Sequence, residues 1–132
     1  MSDAWRRLLA RLRGEDEPLG PKAERLAARH LKRHGMRIVT RNWSTKLGEL
    51  DLVAVEGDEL VFVEVKSKRD DEYGRPAEQV NFGKRRRIER LARAFCGKKK
   101  LDPPVMRFDV VEVIWSDPPR IEWIRGAWLA GE

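Results

Sequence analysis

The sequence predicts a single α/β domain in which a central mixed β-sheet is flanked by helices. Three observations carry this. An amphipathic helical stretch precedes three consecutive strand-like runs, a long helix follows them, and a further strand follows that helix. The run Leu60-Val61-Phe62-Val63-Glu64-Val65-Lys66 is apolar on one face and mixed on the other, the pattern of an interior strand. The helix after it is long enough to form a crossover, which makes part of the sheet parallel.

The chain has 132 residues, enough for one hydrophobic core. Its 28 Lys+Arg against 22 Asp+Glu leave a net charge of +6, which favours a polyanionic partner, nucleic acid before anionic membrane. Cys96 is the sole cysteine, so an intrachain disulfide and a cysteine-rich zinc site are excluded; a small half-buried residue near a helix end is expected there. No apolar run is long enough for a signal peptide or a bilayer span, and a cytoplasmic location is expected.

In chain order, Trp5, Leu8, Leu9 and Leu12 fall at helical spacing among Arg6, Arg7, Arg11 and Arg13. They predict a short basic amphipathic helix, joined by the breaker-rich linker Gly14–Gly20 to a second helix. Residues 1–19 are therefore read as an extension and 20–132 as the domain. The second helix is expected from Pro21 to His34, closed by Gly35, with Ala23, Leu26, Ala27, His30, Leu31 and His34 inward and Glu24 at the edge of that stripe. Strands are expected next at Arg37–Asn42, Glu49–Val55 and Glu59–Ser67, the last two joined by a hairpin at Glu56-Gly57-Asp58. Lys68–Arg75 reads as a polar loop. Pro76 then opens a helix through Phe95, with Val80, Ile88, Leu91, Ala92 and Phe95 inward and Asn81 and Lys84 in the same stripe. Strands at Val105–Trp115 and Ile121–Ile124 complete the order.

Two of these strands break their own apolar pattern with ionisable groups. Asp51 interrupts Gly48-Glu49-Leu50-Asp51-Leu52-Val53, and Glu64 and Lys66 project from one face of the Leu60–Lys66 run. Burying such groups without partners costs several kcal/mol, roughly, so they are paired or they coordinate something. Pairing through the Glu56–Asp58 turn brings Asp51 and Glu64 side by side, within one register step. Paired carboxylates of this kind suit Mg²⁺ or Mn²⁺. Such an ion lowers the pKa of a bound water and neutralises charge on a phosphoryl oxygen. Lys66 is placed to position or deprotonate the attacking water, or to stabilise the pentacovalent phosphate. Glu24 is a candidate outer ligand and Lys84 a second cation near the scissile phosphate. The chemistry specified is metal-assisted phosphodiester hydrolysis. Glu49 shares a face with Asp51 and is expected to neutralise a nearby Lys or Arg.

These residues resemble a known pattern. Asp51 followed by Glu64-Val65-Lys66 matches the PD-(D/E)XK motif of restriction-endonuclease-like nucleases, with Leu50 where the motif's proline stands. The upstream Glu24 and the order of elements are similar to archaeal Holliday-junction resolvases. Closer is the YraN-type family of uncharacterised bacterial proteins. Its stretches stand here as Gly20-Pro21-Lys22-Ala23-Glu24, Arg41-Asn42-Trp43, Gly48-Glu49-Leu50-Asp51-Leu52, Val61-Phe62-Val63-Glu64-Val65-Lys66 and Arg107-Phe108-Asp109-Val110-Val111. The resemblance implies the restriction-endonuclease-like three-layer fold, with Asp51, Glu64 and Lys66 as the site, Glu24 in support, and a metal held by Asp51, Glu64 and the backbone carbonyl of Val65. It transfers no assigned reaction.

Other patterns have blander readings. His30 and His34 have the spacing of a helical metal pair but lack the glutamate of H-E-x-x-H, and a packed histidine pair is expected. Arg107 and Asp109 read as a structural ion pair. Lys84 to Lys100 holds nine basic residues and one acid, Glu89. Lys84, Arg85, Arg86 and Arg87, with Lys98, Lys99 and Lys100 in a basic loop after Gly97, are candidates for contact with a DNA backbone. Two principal readings result: an endonuclease acting on DNA, branched or structured DNA included, and a nucleic-acid-binding module that keeps the fold without the reaction. A third is an adaptor working through the Trp5–Leu12 helix. A homodimer is a corollary of a four-way-junction substrate alone.

Overall fold

A computed structural model describes residues 2–12, 19–69 and 80–132. In chain order the elements are α1 (Asp3–Leu12), α2 (Leu19–Arg33), β1 (Arg37–Thr45), β2 (Gly48–Glu56), β3 (Glu59–Arg69), α3 (Phe82–Lys99), β4 (Val105–Trp115) and β5 (Arg120–Trp128). The strands form one mixed sheet in the order β1-β2-β3-β4-β5, so β3 is central. It pairs antiparallel with β2 and parallel with β4, α3 supplying the expected crossover.

Alternation along the strands divides the core into two layers. Val61 and Val63 of β3, with Leu52, Ala54 and Val111, pack beneath Ala27, Ala28 and Leu31 of α2. Phe62, Val53 and Val110 pack beneath Ile88, Leu91, Ala92 and Phe95 of α3. The α3 side is the aromatic one. Phe108 stacks between Phe62 and Trp128 (centroids 5.8 and 5.1 Å), and Phe95 meets Phe62 and Trp43 edge-on. The result is the three-layer α/β architecture that the sequence led us to expect.

Local chemistry sets the boundaries. At the end of α2, Gly35 takes φ +91°, so Met36 N–H returns to the Leu31 carbonyl and Gly35 N–H to that of Lys32. This fold-back buries Met36 against the sheet. Gly57, at φ +61°, lets β2 turn into β3 over two residues.

Several boundaries differ from expectation. Leu19 and Gly20 belong to the first turn of α2 rather than to a linker, and Lys68 and Arg69 continue β3 alongside Ile114 and Trp115 of β4. The third helix starts at Phe82, because the Asn81 side chain caps it by accepting the Lys84 N–H (2.9 Å). Asn81 is thus a cap rather than a member of the inward stripe; Pro76 lies outside the described residues. That helix runs to Lys99, so Lys98 and Lys99 form its last turn and only Lys100, at φ +55°, leaves it. His34 sits exposed in the turn after α2, and Ala28 takes the buried place expected for it. β5 reaches Trp128 rather than ending at Ile124. Residues 14–18 of the expected linker, Arg13 at the end of the expected first helix, and Tyr73-Gly74 of the expected loop also lie outside the described residues. Among the described residues no helix is long and apolar enough to cross a membrane.

Candidate metal and phosphate site at the strand fork

The β2–β3 ladder runs from Glu56↔Glu59 to Leu52↔Val63 and stops there. The next residue on each strand is an acid, Asp51 on β2 and Glu64 on β3. In place of a further ladder bond, Asp51 Oδ2 accepts the Val65 N–H at 2.8 Å. The carboxylate therefore sits in the gap between the two strands. The N–H and C=O of one strand residue point to the same side, so the Val65 carbonyl is directed into this fork as well.

The partner strand turns over at the same place. Leu52 packs on the α2 layer, whereas Leu50, two residues away, packs on the α3 layer with its cross-strand partner Trp43. Between those pairs lie Asp51 on β2 and Asn42 on β1, and Asn42 has the left-handed φ of +54°. With the faces exchanging there, Asp51 lies edge-on to the sheet, within reach of side chains from both layers.

Those side chains arrive. Glu24 of α2, Glu49 and Asp51 each place a carboxylate oxygen within 4.8 Å of the others. Glu64, only 8% exposed, stands close enough to Asp51 to share a hydrogen bond with it. From α3, Lys84 Nζ meets Glu64 Oε1 at 2.5 Å, the Asn81 cap having set Lys84 in the first helical turn. Lys66 is half-buried on β3, on the same face as Glu64 and directly across from Glu112 of β4.

The electrostatics are those of crowded acids. Burial and then the neighbouring Glu64 push Asp51 up to about 8, partly offset by the Val65 N–H, with Glu64's hydrogen bond and Glu24's charge adding to the rise. Burial likewise raises Glu24, against a hydrogen bond from Asn42 and the charge of Arg41; Glu49 and Glu64 raise it further. A group of hard oxygen donors whose own charges repel fits a divalent cation such as Mg²⁺ or Mn²⁺. Glu49, expected to neutralise a base, belongs to this group instead, its Oε2 also accepting the Ser44 hydroxyl (3.1 Å). Its two-residue spacing from Asp51 was the available signal.

Glu112 was not singled out by the sequence. It is 1% exposed on the same sheet face, with Lys68 Nζ 3.8 Å from its Oε1. A lone acid in the apolar stretch Val110–Ile114 was the signal.

The basic residues of α3 divide. Arg85 donates to the Val80 carbonyl (2.8 Å) and lies over the Trp128 ring. Arg86 holds the buried Glu89 and the Glu132 carbonyl and covers Phe82. Both are tied into the fold. Arg87 and Lys98–Lys100 are exposed. At 1.5 Å per residue Lys98 lies about 21 Å along the helix from Lys84, so the distal lysines are far from the fork.

Elsewhere, Arg107 grips Asp109 through two 2.9 Å contacts and also meets Glu56 and Glu59. Asp109, wholly buried, accepts further bonds from Trp123 Nε1 and Gly126 N–H, which makes this a structural ion cluster. The His30 and His34 rings lie 4.3 Å apart, tilted at 36°, and both meet the Trp123 ring edge-on. They are a packed pair.

Comparison with known proteins places the whole site inside one family. Residues 23–113 match the uncharacterised protein family UPF0102. A UPF0102 protein of Rhodococcus jostii (strain RHA1) is 49% identical over 111 residues, which cover 83% of this chain and 94% of that protein. One from Arthrobacter sp. (strain FB24) is 46% identical over 110 residues, 82% of this chain and 93% of its own length. One from Pseudomonas aeruginosa (strain LESB58) is 42% identical over 115 residues, 84% and 92% respectively.

Proposed function

The chain belongs to the uncharacterised protein family UPF0102, the YraN-type family, and from that premise we propose a Mg²⁺- or Mn²⁺-dependent endonuclease that hydrolyses phosphodiester bonds in DNA, branched or structured DNA included. The observation that carries the reading is the convergence of Glu24, Glu49 and Asp51 within 4.8 Å, with Glu64 beside Asp51 at the end of the β2–β3 ladder. Asp51, Glu64, Glu24 and the Val65 carbonyl are the groups that would hold the ion, with Glu49 alongside. When bound, the ion supplies Lewis acidity toward water and phosphoryl oxygen.

The protein's own groups divide the remaining work. Hydrolysis adds water across a P–O ester bond: the water oxygen joins phosphorus, the ester oxygen leaves and a proton reaches it. Lys66, on the face of Glu64, positions that water or balances charge on the phosphate. Lys84 brings a second cation to the same edge from the first turn of α3, where the helix N-terminus also favours negative charge. The exposed Arg87 and Lys98–Lys100 extend positive charge along the helix for sequence-independent backbone contact.

One contact favours the second reading, a binding module without the reaction. Lys84 already neutralises Glu64, a carboxylate that metal binding needs. The direct trial is incubation of the protein with linear duplex, single-stranded and four-way-junction DNA in Mn²⁺. The endonuclease predicts cleavage by the wild type that Asp51→Ala and Glu64→Ala both lose. No cleavage of any substrate, or equal cleavage by the variants, overturns it. Salt-sensitive DNA binding without cleavage identifies the module.

A further inference from the structure

The flank of α2 turned away from the fork carries a second concentration of charge, of the opposite sign. Between Glu24 and Glu49 the chain holds seven Lys and Arg residues and no acid. Two of them, Arg29 and Arg33, stand one turn apart on α2 and line a cleft with Leu26, His30, Pro119 and Ile121. No carboxylate lines it. Among the described residues neither arginine makes an ion pair or a side-chain hydrogen bond. Burial, then His34 and Arg33, lowers the pKa of His30, the mark of cations set close together. The dipole at the end of a helix favours cations in its last turn. That accounts for Lys32 and Arg33, but not for Arg29 a turn earlier, nor for a concave wall beside them.

The cleft has a volume of about 160 Å³. One water needs roughly 10–15 Å³, and pockets for whole drug-sized ligands run to ~300–1,000 Å³, so this one suits a small group. Two guanidinium forks offer more donors than the two oxygens of a carboxylate take up, and they match the oxygens of a phosphate. Leu26, Pro119 and Ile121 supply an apolar wall on which the attached sugar can lie. Along α2, Arg29 and Arg33 are about 7.5 and 13.5 Å beyond Glu24 and on the other side of the helix. The cleft is therefore separate from the carboxylates at the fork.

We propose that the cleft between the C-terminal half of α2 and the start of β5 binds a phosphate group through Arg29 and Arg33, and that a nucleic-acid strand brings that phosphate. This goes beyond the metal-dependent reading and does not rest on it.

The trial uses the full chain in EDTA, so that neither a metal nor cleavage enters. Inorganic phosphate at millimolar concentration is expected to shift the Nε–Hε NMR signals of Arg29 and Arg33 saturably, and acetate at equal ionic strength is not. Anisotropy of a labelled single-stranded oligonucleotide then identifies the source. The double variant Arg29→Ser/Arg33→Ser should bind it about tenfold more weakly, with the slope of log affinity against log salt reduced by about 0.7 for one phosphate released. Lys32→Ser/Arg37→Ser removes the same charge from exposed positions off the cleft and should lose clearly less. Both variants are first shown to melt as wild type does. No saturable shift with phosphate, or an equal one with acetate, overturns the proposal. Phosphate binding with equal DNA losses in the two variants overturns the nucleic-acid source and assigns the cleft to a small phosphorylated compound.

Discussion

Asp51 carries an electrostatic load that the rest of the fold does not relieve. Burial and the adjacent Glu64 raise it to about 8, so its ionised form is opposed in the metal-free protein. Asp51→Asn keeps the shape and the acceptor for the Val65 N–H while removing the charge. With a chelator present and the pH above 8, this variant should melt higher than wild type, a gain that differential scanning calorimetry would detect. His30 titrates in the opposite sense. Burial, then His34 and Arg33, lower its pKa, so the folded state resists the proton that an unfolded chain accepts below about 6.5. Its contribution to stability is present above 6.5 and is lost as pH falls through the folded value. His30→Gln should therefore flatten the fall of Tm between pH 7 and pH 5, measured by thermal melts across that range. A slope equal to that of wild type counts against this role for His30.

At the scale of elements, the site depends on where α3 begins and on where β2 parts from β3. Asn81→Ala removes the cap that sets Lys84 in the first turn. A lost N-cap costs about 1 kcal/mol. For a domain of this size that is a drop of about 3–6 °C in Tm. The Arg107 cluster pins the other end of the same hairpin, joining Glu56 of β2 and Glu59 of β3 to Asp109 of β4. Arg107→Ala strands a fully buried carboxylate, a loss of about 3–5 kcal/mol, and denaturant unfolding should show it as a lower midpoint. These elements were unequally legible in the sequence. Strand periodicity and the Gly57 turn located β2 and β3 within a residue or two, because alternation and hairpin geometry are local. The start of α3 was misplaced because Pro76 and Asn81 are both valid helix-start signals, and only the observed Asn81 bond to Lys84 decides between them. The reversal at Asn42 left no trace in the hydrophobic pattern. It is the coincidence of one backbone angle with packing on two opposite layers.

For the molecule as a whole, charge is concentrated in clusters. Four acids from α2, β2 and β3 gather at the fork with Lys84 against Glu64, and the exposed Arg87 and Lys98–Lys100 carry positive charge along α3. The pair Asp51 and Glu64, the lysine beside them and Lys84 were readable from strand and helix periodicity together with the family-like motif, although the Lys84 side chain is 40% exposed rather than inward. Glu24 was readable too, at the edge of the α2 stripe; Glu49 was not, because its partner depends on how far α2 brings Glu24 across the sheet. The basic run of α3 was legible as charge but not as function, since Arg85 and Arg86 are tied to Val80, Glu89 and Glu132 by contacts the sequence does not encode locally. Replacing Lys98, Lys99 and Lys100 together by Ser should weaken DNA binding and lower the slope of log affinity against log salt by about 2–3 if each neutralises a phosphate. Mn²⁺ affinity, about 21 Å away along the helix, should not change.

On this reading the carboxylates at the fork form a divalent-cation site with Asp51 at its heart. Calorimetric titration of Mn²⁺ into wild-type and Asp51→Asn protein, both shown to be folded, addresses it directly. Saturable binding by the wild type and none by the variant is the expected outcome. Equal binding by the two proteins, or no binding by the wild type, would contradict it.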